Sequence, residues 1–376
     1  MRYATRILHN EHEIDPHTGA LSIPIYQAST FHQSDVDHPG KYDYSRSGNP
    51  TREALEATLA TLENGKHAYA FSSGMAATSS SLGILKQGDH VIASADIYGG
   101  SYRILSRFFS KFGVSVTFVD MTELENIKEA LRPNSRLLFM ESPSNPLLKI
   151  TDIVGATEIA RQHDMITMID NTFMSPWFQR PLDLGVDIVI HSATKFLGGH
   201  SDVIGGAVIT KSDELASQIY FVQNGFGAIL GPLDCWLLMR GIKTLRARME
   251  LQQQSAAQIA NWLKQQSWVS DVYYPGLPDH PGYEIIMSQA SGFGAVLSFK
   301  TDTVERARQI MKKVKVWFVA VSLGGVESIL SYPVKMSHAA IPAPEREKLG
   351  ITDNLIRLSV GLEEVEDLIE DLDVTK

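Results

Sequence analysis

Between about residues 66 and 210, short apolar runs alternate with stretches of helical pattern, and this alternation restricts the fold more than any other feature of the chain. The runs cover residues 90–93, 114–119, 137–140, 166–169 and 188–190, and each ends near a polar or turn-forming residue. Short apolar strands joined through helices predict βα units, hence an α/β fold whose sheet is mainly parallel and covered on both faces. Ligands of such sheets sit beyond the carboxyl ends of the strands. Asp96, Asp120, Glu141, Asp170 and Ser192 come shortly after these runs, so the chemistry is expected among them.

The flanking segments read differently. Residues 1–50 are punctuated by Pro16, Gly19, Pro24, Pro39, Gly40, Gly48 and Pro50 and show little helical periodicity. An irregular arm of that length is expected to pack on something else, such as another subunit. From Thr51 the spacing of Leu55, Leu59 and Leu62 is helical. Residues 211–266 also read as helical, broken around Gly225, Gly227 and Gly231-Pro232. The remainder mixes shorter strands (295–299) with amphipathic helix (304–313), as in a smaller α+β unit. The expected division is an arm over 1–50, a large domain over 51–232 and a C-terminal domain over 233–376.

Charge and composition exclude several classes. The chain has 43 acidic against 34 basic residues and a net charge of -9, which disfavours a nucleic-acid partner. No apolar run approaches the ~20 residues that span a bilayer, and no signal-peptide core follows Met1, because His9, Glu11, His12 and Glu13 come next. The single cysteine, Cys235, cannot form an internal disulfide and reads as a small core residue. A cytoplasmic enzyme is expected. The 12 histidines show no metal-ligand spacing, so no metal is expected. Trp262 and Trp268 read as packing residues, and the acidic run 363–367 as a solvated helix start.

Three segments carry chemistry. Lys195 follows the run 188–190 and two small hydroxyl residues, Ser192 and Thr194, and precedes Gly198-Gly199. At a strand end its amine could form a Schiff base with an aldehyde cofactor, and the hydroxyls could donate to a phosphate. Most lysines are solvated surface residues, and this segment alone leaves the choice even. Ser72-Ser73-Gly74-Met75-Ala76-Ala77 opens a helix whose free amides suit a phosphate, though a plain helix cap fits equally well. Asp170-Asn171-Thr172 puts a carboxylate directly after a strand, either as a helix cap or as the partner of a pyridine nitrogen.

Taken in order with further segments, these resemble the pyridoxal-5'-phosphate (PLP) enzymes of Cys/Met metabolism. The further segments are 44–52 (Tyr-Ser-Arg-Ser-Gly-Asn-Pro-Thr-Arg), Tyr98-Gly99-Gly100, Glu141-Ser142-Pro143-Ser144-Asn145-Pro146, 322–328 and 357–361, and the likeness runs from about Thr5 to Val365. The resemblance implies fold type I, the aspartate-aminotransferase-like α/β architecture, with PLP as cofactor. It further implies that Lys195 carries the cofactor and shuttles protons, that Asp170, with Thr172 beside it, holds the ring nitrogen, and that Tyr98 stacks on the ring and assists catalysis. Gly74, Met75, Ser192 and Thr194 would bind the phosphate. Tyr44 and Arg46 would reach the phosphate of a neighbouring subunit in a homotetramer of two active-site dimers. Arg357 would grip the substrate carboxylate as a bidentate fork, with Asn145 and Ser322 beside it.

The block 319–333, with Met336-Ser337-His338-Ala339-Ala340, is most similar to cystathionine β-lyases of the Bacillus type. Relatives acting at the γ-carbon usually carry glutamate before the Ser-Leu-Gly segment, where this chain has Val321. The resemblance therefore implies cleavage of cystathionine to homocysteine, pyruvate and ammonia in methionine biosynthesis, with a cystathionine γ-lyase or γ-synthase as the alternative. Two other classes fit less well. A dinucleotide-binding oxidoreductase would need a Gly-x-Gly-x-x-Gly turn after an early strand, and the chain has none. A catalytically dead scaffold would be expected to have lost Lys195, Asp170 or Arg357.

Overall fold

The structure is a computed structural model describing residues 1–9, 14–339 and 341–373; Glu11, His12, Glu13 and Ala340 lie outside them. The large sheet has seven strands: β1 (His67–Phe71), β2 (His90–Ser94), β3 (Ser115–Val119), β4 (Ser135–Glu141), β5 (Ile166–Asp170), β6 (Ile188–His191) and β7 (Gly206–Thr210). Their order is β1-β7-β6-β5-β4-β2-β3. The five strands from β6 to β3 run parallel, and β7 is antiparallel to both its neighbours. The predicted mainly parallel sheet is present, and all five apolar runs became strands. β1 and β7 close one side with an antiparallel return that the runs did not announce.

Alternating side chains divide the strands between two cores. Val91, Leu137, Phe139, Met168, Ile188 and Ile190 pack on one face beneath the helices Gly74–Leu82 and Asp213–Phe226. Ile92, Leu138, Met140, Ile169 and Val189 pack on the other with Leu55, Leu59 and Leu62 of the helix Pro50–Leu62. Burying a residue such as Phe139 completely is worth about 1.5–3 kcal/mol, so covering both faces holds the sheet in register. The helices begin where the sequence supplies caps. Asn49 Oδ1 accepts from the amide of Thr51 at 3.0 Å with Pro50 in the first turn, and Ser73 Oγ accepts from the amide of Ala76 at 3.0 Å.

The second sheet comprises β8 (Val269–Tyr273), β9 (Val296–Thr301), β10 (Phe318–Val319), β11 (Ile329–Ser331) and β12 (Leu355–Ser359), in the order β10-β11-β12-β9-β8. It is antiparallel apart from the β10–β11 pair. The helix Leu245–Leu263 serves both sheets: Leu245 and Met249 join the core of the large one, whereas Ile259 and Leu263 join that of the small one. Cys235 and Leu238 also belong to the large sheet's core. Trp262 and Trp268 pack edge-to-face in the small sheet's core.

The N-terminal arm departs from expectation in one detail. Tyr3–Leu8 form a short helix, and the Tyr3 hydroxyl donates to the carbonyls of Leu62 (2.8 Å) and Pro176 (2.7 Å). Six residues are too few for periodicity to signal. Beyond it the arm is irregular as far as Asn49 among the described residues. No described helix is long and apolar enough to cross a membrane.

Candidate active site

Register aligns the ends of the central strands. Glu141 of β4 pairs with Asp170 of β5, and Asp170 with Ile190, the last residue but one of β6, so all three strands end at one edge. Above that edge lies a cavity of about 550 Å³. Its walls include Gly74, Met75, Tyr98, Asn145, Asp170, Thr172, Ser192, Thr194, Lys195, Ser322 and Arg357. Every expected site residue is thus gathered in one place, except Tyr44 and Arg46. Those two lie away from this cavity: Tyr44 is 44% exposed, the Arg46 guanidinium sits 5.3 Å from the Tyr44 ring centre, and Arg46 Nε donates to Asn224 Oδ1 at 3.3 Å.

Lys195 Nζ donates to Ser322 Oγ at 2.6 Å. Burial lowers the amine to about 8; Arg357 adds to the shift and Asp170 opposes it. A lysine so placed supplies free amine near neutral pH, which a carbonyl partner requires. Ser322 holds its hydroxyl there at φ +87°, in the left-handed region that a side chain disfavours. Gly324 shares that region (φ +79°), and a Cβ on it would lie 2.7 Å from the amide nitrogen of Phe196. The 322–325 turn is therefore pressed against the lysine segment.

Asp170 Oδ1 accepts from the Thr172 amide (3.0 Å) and hydroxyl (2.5 Å), and Thr172 Oγ1 in turn accepts from the Ser192 amide at 2.9 Å. The other carboxylate oxygen of Asp170 has no hydrogen bond among the described residues and belongs to a group lining the cavity. Burial raises this carboxyl; the Thr172 bonds, then His191 and Lys195, oppose that. Opposite, the helix Gly74–Leu82 presents its first amides beside Ser192. A Cβ on Gly74 would sit 2.8 Å from the Ser192 Cβ, so only glycine leaves this corner open. Thr194 Oγ1 exchanges hydrogen bonds with Gly205, donating at 3.2 Å and accepting at 3.0 Å.

Arg357 crosses from β12 and is 3% exposed. Its Nη1 donates to Asn145 Oδ1 (2.9 Å), and its Nη2 to the Ser322 carbonyl (2.7 Å) and Ser331 Oγ (3.2 Å). Its Nε is buried without a partner among the described residues. The guanidinium lines the cavity, and a cation in that wall suits an anionic ligand.

The sequence placed Glu141 among the candidates without its role, and did not single out Arg103 or Ile204. Glu141 Oε2 accepts the Tyr98 amide at 2.8 Å and so fixes the residue that leans over the cavity. Burial, reinforced by Asp170, pushes the Glu141 carboxyl well above the usual carboxylate range. Arg103 and Ile204 line the mouth together with Val321, which is 64% exposed. Position one turn beyond Tyr98 was the available signal for Arg103.

The donor set meets the demands of PLP: a buried amine of lowered pKa, a carboxylate with a free oxygen, a helix start flanked by hydroxyls and an arginine in the wall. A family model described as Cys/Met metabolism PLP-dependent enzyme matches residues 4–375, and the chain belongs to that family. It is 53% identical to the cystathionine beta-lyase MetC of Bacillus subtilis (strain 168), over 98% of this chain and 95% of that protein. It is 49% identical to the cystathionine gamma-lyase of the same strain, over 99% of this chain and 98% of that one. Among solved structures, the cystathionine gamma-lyase from Lactobacillus plantarum complexed with L-serine matches with a TM-score of 0.97 at 46% identity, covering 99% of this chain and 98% of that one. The protein is accordingly a PLP-dependent lyase of cysteine and methionine metabolism with the type I fold, as the sequence implied.

Proposed function

We propose that the protein is a cystathionine β-lyase, converting cystathionine and water to homocysteine, pyruvate and ammonia. When bound, PLP supplies an aldehyde that links to an amine and a ring that takes up the electron pair left at the substrate's α-carbon. The residues of the chain do the rest. Asp170 would hold the ring nitrogen through its free oxygen, with Thr172 bracing the other. The Gly74 and Met75 amides and the Ser192 and Thr194 hydroxyls would hold the phosphate. Arg357 and Asn145 would orient the substrate carboxylate, and Tyr98, anchored by Glu141, would pack on the ring and assist proton transfer. Lys195 Nζ would carry the cofactor and hold and move the α-proton, its position limited by Ser322 Oγ.

The observation that carries the β assignment is Val321. It stands at the mouth, where the distal half of an extended substrate must lie, and offers no carboxylate to that half's ammonium. Arg103, which lines the same cavity, suits the distal carboxylate. A cystathionine γ-lyase or γ-synthase is the second reading, favoured by the 49% identity to the Bacillus subtilis γ-lyase. Assay of the purified enzyme on cystathionine decides between them: pyruvate is expected as the main oxo acid, and dominant 2-oxobutyrate overturns the β reading.

We also read residues 1–50 as an arm serving a neighbouring subunit, 51–232 as the PLP-binding domain and 233–376 as the domain completing the substrate site. The assembly proposed is a cytoplasmic tetramer of two active-site dimers. The placement of Tyr44 and Arg46 away from their own cavity supports the arm's role.

A further inference from the structure

Directly beneath the site lies a polar cluster that none of the roles above uses. Glu63 and His191 are each 1% exposed and Asn171 fully buried. Glu63 ends the helix Pro50–Leu62, and its Oε1 receives two hydrogen bonds, from Asn171 Nδ2 at 2.9 Å and from His191 Nε2 at 2.6 Å. Asn171 is tied further: its amide donates to the Ile190 carbonyl (2.9 Å), and its Oδ1 accepts from Gln179 Nε2 (3.0 Å). Register places Asp170 opposite Ile190, on one face of the sheet, so alternation puts His191 on the other face with Val189. The cluster therefore cannot touch the cofactor. It grips the residue that follows Asp170 and the residue that precedes Ser192.

Those two positions matter because, in the reading above, Asp170 would hold the ring nitrogen of PLP and Ser192 its phosphate. A buried carboxylate loses its hydration and is retained only where its hydrogen bonds replace it. Here a single oxygen makes both bonds, while Oε2 has no partner among the described residues. That arrangement fixes the separation of two strand ends more than it satisfies the carboxylate. We propose that Glu63 is a positioning residue, a clamp whose one oxygen, through Asn171 and His191, sets the spacing between the carboxylate that holds the ring nitrogen and the hydroxyl that holds the phosphate.

The test compares Glu63→Met holoenzyme, which lacks the accepting oxygen, with wild type and with Phe299→Leu, a core change in the small sheet that lowers stability. Three quantities are read: the dissociation constant for PLP, the visible circular dichroism of the bound cofactor, and the melting temperature. The clamp predicts that Glu63→Met weakens PLP binding on the order of tenfold and diminishes the visible dichroism, and that Glu63→Gln, which keeps the accepting oxygen, largely restores both. Phe299→Leu should lose melting temperature without either change. If Glu63→Met loses only melting temperature, as Phe299→Leu does, the cluster is merely structural and the proposal falls. Should Glu63→Met fail to fold, His191→Phe, which removes one of the two donors to Glu63 Oε1, is judged by the same criteria. The inference rests on the roles given to Asp170 and Ser192, and Asp170→Asn checks them separately. Unchanged PLP affinity and dichroism in Asp170→Asn overturn those roles, whereas an altered Asp170→Asn beside a silent Glu63→Met overturns the clamp alone.

Discussion

The amine of Lys195 and the hydroxyl of Ser322, 127 residues apart in sequence, meet at 2.6 Å and join the large sheet's edge to the turn that precedes β11 of the small one. The amine at the large sheet's edge is thus aimed by a hydroxyl from the segment between β10 and β11 of the small sheet. Neither half of the chain holds the amine by itself.

This geometry predicts how the cofactor-free protein takes up PLP. Only the neutral amine attacks a carbonyl, and burial lowers the Lys195 amine to about 8. Uptake, followed by visible absorbance, should accelerate with rising pH and level off above about 8. A profile still climbing near the ordinary lysine value, ~10.4, contradicts the shift. Lys195→Ala should abolish turnover while leaving the fold intact. Borohydride reduction of the holoenzyme should label Lys195 and no other lysine.

The left-handed backbone of Ser322 gives a second prediction. Ser322→Ala removes the hydroxyl and keeps the strained φ of +87°, whereas Ser322→Gly removes both. A side chain in this region costs about 1–2 kcal/mol, partly offset by glycine's greater freedom in the unfolded chain. In urea titrations the glycine variant should therefore be more stable than the alanine variant by about 0.5–1 kcal/mol. Both should reduce kcat, because both release the Lys195 amine. Equal stability of the two would show that the turn relaxes elsewhere.

What could be read from the sequence follows a physical division. Strands buried on both faces must be apolar runs, so β2 and β4 to β6 were visible, as was the partly buried edge strand β3, and glycine at 74 could be noted in a segment of mostly small residues. The antiparallel pairing of β1 with β7 depends on partners some 140 residues apart (His67 with Thr210), which local pattern does not encode. Glu141 was placed at a strand end, yet its hold on the Tyr98 amide spans 43 residues and needed the fold. The Glu63, His191 and Asn171 cluster is more extreme. Each reads alone as an ordinary polar residue, and only the packing of the helix Pro50–Leu62 beneath β5 and β6 makes them one unit.

Tyr44 and Arg46 supply a third prediction. Both lie outside their own cavity, so Arg46→Ala should weaken PLP binding through a neighbouring subunit, on the order of tenfold to a hundredfold. Mixing Arg46→Ala with Lys195→Ala should restore some activity, because a hybrid can assemble one site with an intact lysine and an intact arginine. No recovery despite demonstrated subunit exchange means that the arm serves its own chain.

The fourth prediction concerns the choice between β and γ chemistry. Both routes begin with removal of the α-proton, and a thiolate on the β-carbon can then leave at once. The γ-route needs the opposite placement of the substrate and a second proton removal. Val321, which lines the same cavity as Arg103, cannot favour that placement. Val321→Glu introduces a carboxylate that can engage the distal ammonium. Its hydration is largely retained, since the position is 64% exposed in the single chain, so little stability should be lost. Arg103 lines the same mouth and will attract the new carboxylate, which blunts the effect. The expected outcome is a partial shift from pyruvate toward 2-oxobutyrate, larger in Val321→Glu combined with Arg103→Ala than in Val321→Glu alone. The ratio of the two oxo acids measures it. An unchanged ratio in both variants means that the mouth does not select the scissile bond, and the determinant must then be sought deeper, around Tyr98 and Ser337.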